Sequence, residues 1–61
     1  MKLVDYYIQY DFEGNPIHAC GFVYGNPKFI DGTYIITSNI VELDLYNKKV
    51  ITKNSTYDLE R

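Results

Sequence analysis

The chain has 61 residues, 46% hydrophobic and 23% charged, with one His and one Cys, which predicts a single small globular domain over residues 1–61 and excludes the disulfide and zinc scaffolds that staple many mini-proteins. A domain this short buries only about 60% of the surface its unfolded chain exposes, so self-association is expected as a further source of burial. Six Lys and Arg against eight Asp and Glu leave a net charge of -2, with no basic run longer than Lys48-Lys49; this argues against nucleic-acid binding by phosphate neutralisation and falls far short of a DNA mimic.

From the amino terminus, Val4, Tyr6, Ile8, Tyr10 and Phe12 alternate with Asp5, Tyr7, Gln9 and Asp11. Side chains along a strand point to opposite faces in turn, so residues 2–12 read as a strand with the first set buried and with Leu3 and Tyr7 on the opposite face. Glu13-Gly14-Asn15-Pro16 supplies turn chemistry, and a second strand follows from Ile17 to Tyr24, with Ile17, Ala19, Gly21 and Val23 opposite His18, Cys20, Phe22 and Tyr24. Gly25-Asn26-Pro27-Lys28 and Asp31-Gly32 bound a loop expected to tuck Phe29 inward. Thr33–Thr37 is dense in β-branched residues, and alternation resumes over Ile40–Tyr46, with Val41, Leu43 and Leu45 opposite Glu42, Asp44 and Tyr46. A tight hairpin at Tyr46-Asn47-Lys48-Lys49, with Asn47 as the residue tolerant of left-handed dihedrals, leads into Val50-Ile51-Thr52. Thr56–Leu59 reads as a short strand or as a single helical turn.

No window carries the spacing of an amphipathic helix. The expected fold is all-β: a small, strongly twisted antiparallel sheet or a partly open SH3-like barrel of five to six short strands. A charge at Asp5 interrupts the first apolar run before a signal-peptide core could form, and no stretch reaches the roughly 20 apolar residues of a membrane-spanning helix. The expectation is a cytoplasmic protein without membrane association.

His18 and Cys20 lie two apart on one predicted strand. A tetrahedral metal site needs three or four ligands, so this pair reads as a packed thiol beside an imidazole, with no metal or other cofactor expected. Neighbouring positions on one strand rarely supply the geometry of a nucleophile and its base, and Glu42 and Asp44 read as a solvated strand face. No glycine pattern makes a phosphate cradle, and the chain is read as non-catalytic.

The tyrosines carry more information. Seven Tyr and three Phe bring aromatic content to 16%, and tyrosine is enriched where protein surfaces meet because it joins a large apolar area to a hydroxyl that tolerates water. In Thr33-Tyr34-Ile35-Ile36-Thr37, placing Ile35 in the core presents Tyr34 and Ile36 outward; Tyr7 on the first strand and Phe22 and Tyr24 on the second do the same. These five residues are the candidate interface. They give the chain more apolar faces than one small core can cover, and a symmetric homodimer is the economical explanation, with a host protein as the other way of covering them.

The segments FIDGTYIITSNIV (29–41) and VITKNSTYDL (50–59) resemble a motif in short proteins of bacteriophages and their Gram-positive hosts, over about half of the chain. The resemblance implies that Asp31 and Gly32 form a turn, that Ile35, Val41, Val50, Tyr57 and Leu59 fill the core, and that Thr37-Ser38 caps a strand junction. Tyr34 and Ile36 depart from the pattern, since their places tend to be polar in such proteins. Small phage proteins of this kind are often inhibitors of host proteins, including bacterial defence systems, and the resemblance implies that role here with a bacterial host protein as partner. Two other roles fit the same strands. One is a regulatory barrel whose aromatics stack on single-stranded nucleic acid, with Lys28, Lys48, Lys49 and Lys53 near the phosphates; the other is a structural assembly component.

Overall fold

The structure, a computed structural model, describes all 61 residues and contains six strands: β1 (Lys2–Tyr10), β2 (Pro16–Tyr24), β3 (Thr33–Ile36), β4 (Ile40–Asp44), β5 (Lys49–Thr52) and β6 (Thr56–Glu60). They form one sheet in the order β3-β2-β1-β6-β5-β4, and no helix is present. The class is all-β, as expected, with the sheet open and partly curled. The expectation of a purely antiparallel sheet needs one correction: β6 runs parallel to β1, with Lys2, Leu3 and Val4 opposite Asp58, Leu59 and Glu60. The terminal segment is thus a strand, inserted between β1 and β5, and joins two antiparallel halves.

The two edge strands β3 and β4 are consecutive in the chain, and the short link Thr37-Ser38-Asn39 brings the sheet's edges toward each other. Thr37 ties this junction. Its N–H donates to Ala19 O (2.9 Å), its Oγ1 accepts from Ala19 N–H (3.0 Å) and donates to Ser38 O (2.9 Å), and its carbonyl accepts from His18 Nδ1 (2.8 Å). Asn54 N–H donates to Ser38 Oγ and Lys53 N–H to Asn39 O, which fastens the β5–β6 turn to the same place.

Inside the curl lie Leu3, Ala19, Val23, Ile35, Val50, Tyr57 and Leu59, with Tyr6, Ile8, Ile40 and Leu43 packed against them. Full burial of a Leu or Val side chain contributes about 1.5–3 kcal/mol, and Leu3, Val23 and Val50 are completely enclosed. Two of these positions reverse the simple alternation. In β1, Val4 pairs with Phe22 and Tyr7 with Cys20, so Asp5 and Tyr6 together face Gly21. This bulge sets Asp5 at φ +51° and shifts the parity of everything before it. Leu3 is therefore core and Val4 faces outward, the opposite of the expected assignment, while Tyr6 and Ile8 point inward as expected.

The same device recurs in β4, where Val41 and Glu42 together oppose Ile51. Ile40 and Leu43 both reach the core, and Val41, expected inside, is 71% exposed. Tyr10 and Phe12 also depart from expectation. The β1–β2 hairpin runs past the strands on either side, so Tyr10 is half-exposed and Phe12 fully exposed at its tip. Phe29 lies in a loop with its ring partly in solvent rather than in the core.

Side-chain caps hold the connections. Asp11 accepts from Glu13 N–H and Asn15 N–H, both at 2.9 Å, and the Asn15 amide holds its carboxyl below the usual carboxylate range. Asp31 accepts from Gly25 N–H, while Asn26, buried, bonds Lys28 N–H and donates to the Tyr57 hydroxyl at 3.0 Å. Asp44 accepts from the Asn47 backbone and side chain. In that last turn the left-handed residue is Lys48, at φ +56°, and not Asn47.

Candidate protein interface

Residues of β1, β2 and β3 that point away from the core form one outer face. Cross-strand pairing defines its rows: Ile36, Cys20 and Tyr7 in one, and Tyr34, Phe22 and Val4 in the next. Phe22 and Tyr34 meet edge to face, with ring centroids 5.1 Å apart and planes at 74°, the arrangement in which a ring's positive edge meets its neighbour's negative face. Tyr24 follows on β2 in register with Lys2, its hydroxyl close to the glycine turn at Gly32, where φ is +88°. All five candidate residues Tyr7, Phe22, Tyr24, Tyr34 and Ile36 thus occupy this face, each at least one-third exposed, with Ile36 at 63%.

Cys20 sits in the middle of the face and is wholly enclosed. Tyr7 is pushed up to about 12 by hydrogen bonding to Cys20 and then to Tyr34, so its phenol stays protonated over the ordinary pH range. His18 is oriented by the Thr37 carbonyl, which can only accept; Nδ1 therefore carries a proton and serves the strand junction. No three His, Cys, Asp or Glu side chains converge.

The other half of the outer face has a different chemistry. Across the β1–β6 and β6–β5 seams, Lys2 pairs with Glu60 at 3.1 Å and Lys49 with Asp58 at 2.6 Å. The Lys49 ammonium holds the Asp58 carboxyl below its ordinary range. Glu42 and Asp44 continue this polar half onto β4, and Asn47 likewise lowers Asp44. The sheet therefore presents an aromatic half bounded by ion pairs, with Lys2, in register with Tyr24, paired to Glu60 at its border. Exposed pairs of this kind contribute little stability; their effect is to leave no unmatched cation beside the aromatic rings except on side chains outside this face.

The sequence reading misses one contributor, Val4, which the bulge turns outward beside Phe22. Gly21 carries the signal, because a glycine inside a strand marks a bulge or a close backbone approach. Here a Cβ would lie 2.9 Å from Val4 O and 3.1 Å from Leu3 Cγ. Met1, Lys2, Val4, Tyr24, Gly25 and Glu60 line an open hollow that continues the face past Tyr24.

Comparison with protein-family models, curated proteins and solved structures gives no significant match for this chain.

Proposed function

We propose that this chain is a small non-catalytic protein-binding module, a phage-encoded inhibitor of a bacterial host defence protein, acting as a homodimer through its tyrosine-rich outer face. The observation that supports this reading is the contiguous, uncharged surface of Tyr7, Phe22, Tyr24, Tyr34 and Ile36, placed where a solitary small domain ordinarily sets polar groups. Aromatic anchors in a rigid sheet lose little conformational entropy on binding, and an ion-paired rim disfavours misaligned partners. The resemblance of residues 29–41 and 50–59 to short phage and Gram-positive proteins supports a bacterial host protein as the partner, and on that reading the chain acts in the host cytoplasm.

The test is a plaquing assay in bacteria that each carry one defence system, with and without this protein. Restored plaquing on at least one strain, lost with Tyr24→Lys while the β-sheet circular dichroism is retained, is the expected result. Absence of restoration across the panel contradicts the inhibitor role, and full activity of Tyr24→Lys contradicts the role of the face. Binding of a single-stranded oligonucleotide that weakens steeply with salt would replace this reading by the nucleic-acid one.

A further inference from the structure

Edge strands offer unpaired N–H and C=O groups to any passing chain, and proteins blunt them with charges, prolines or bulges. This sheet has two edges, β3 and β4, and treats them differently. β4 carries a bulge at Val41 and two carboxylates, Glu42 and Asp44. Pairing it with its own copy around a two-fold axis would set like charges opposite each other, which destabilises a cross-strand pair. The part of β1 that extends beyond β6 is likewise guarded, by the Asp5 bulge and by Arg61, whose guanidinium lies 4.4 Å from the Tyr6 ring centroid.

β3 has no such device. Its four residues, Thr33, Tyr34, Ile35 and Ile36, contain no charge, proline or bulge, and pair with β2 in unbroken register. Thr37 N–H donates to Ala19 O, so by the alternation of an antiparallel ladder Ile35 exchanges its bonds with Gly21, while the backbone groups of Tyr34 and Ile36 point to the free edge. None of the hydrogen bonds made outside the ladder engages them. These are the same two residues whose side chains are 48% and 63% exposed on the outer face.

Building on the protein-binding reading of that face, we infer that two copies of this chain pair antiparallel along β3, with Ile35 on the two-fold axis and Tyr34 of one copy opposite Ile36 of the other. In that register both residues exchange their free N–H and C=O with the second copy. Each Tyr34 ring packs on an Ile36 side chain, an aromatic with β-branched pair of the kind that stabilises sheets. The pairing is self-complementary in charge, since β3 has none, and the ion-paired halves lie at the far ends of the joined sheet. The outer aromatic faces of the two copies become one continuous surface, doubling the area available to a third protein.

Amide exchange measured residue by residue on the unaltered protein, in dilute and in concentrated solution, tests this mode. The Tyr34 and Ile36 amides slow by about tenfold or more on concentration, while the Ile35 amide, already bonded to β2, is protected at both. Ile36→Pro removes the N–H that faces the free edge and spares the β2 ladder; it yields a monomer with the β-sheet signal intact. A dimer whose Tyr34 and Ile36 amides exchange as fast as in dilute solution overturns edge pairing and leaves the face reading standing, and so does a dimeric Ile36→Pro. A protein that stays monomeric when concentrated overturns the pairing itself, whereas loss of the face reading shows separately, as retained plaquing by Tyr24→Lys.

Discussion

Tyr7 shows how one side chain links fold to surface. It leaves β1 on the outer face, opposite Cys20, and its hydroxyl is held in the neutral form by Cys20 and Tyr34. Its folded pKa of about 12 stands above the ordinary 10.0, so the favourable contribution is complete below pH 10 and is lost as pH rises through 12. Alkaline unfolding followed by circular dichroism is expected to lose stability across that window, and Tyr7→Phe to flatten the loss; equal pH dependence in the two proteins would mean that Tyr7 has no such partners. The outward placement of the five candidate residues is legible in the sequence because β2 and β3 keep strict alternation, and Tyr7 lies on the unshifted side of the β1 bulge. Enclosure of Cys20 is legible as well, since the pair His18 and Cys20 reads as a packed thiol beside an imidazole and Cys20 is buried.

At the scale of strands, the readable and the unreadable parts separate by register. Strands β3, β5 and β6 follow period two, and Ile35, Val50, Tyr57 and Leu59 are core as expected. Strands β1 and β4 each insert one extra residue, so core positions recur three apart, at Leu3 and Tyr6 and at Ile40 and Leu43. Alternation alone assigns Leu3, Val4 and Val41 to the wrong face for that reason. Gly21 is the residue that makes the first bulge possible. Gly21→Val forces a Cβ against Val4 O and Leu3, and is expected to destabilise the fold by about 1–3 kcal/mol in chemical denaturation; an unchanged midpoint would show that the bulge does not require close approach. The parallel β1–β6 pairing was beyond reach of the sequence, because it joins the two ends of the chain through backbone contacts that side-chain pattern does not encode.

For the molecule as a whole, one sheet performs two tasks. Its inner face closes a small core, and its outer face is divided into an ion-paired half and an aromatic half that ends at an unguarded edge. A chain of 7.1 kDa has little surplus core with which to offset so much exposed apolar surface, and on the proposed reading it associates. No helix is long and apolar enough to cross a membrane. Light scattering across a range of concentrations, at low and at high salt, measures that association directly. The mass is expected to rise from 7.1 kDa toward twice that value equally at both salts, because the contact is apolar and uncharged. A mass fixed at that of one chain at every concentration would contradict the homodimer, and nucleic acid that co-elutes at low salt and is released at high salt would contradict a protein-binding aromatic face.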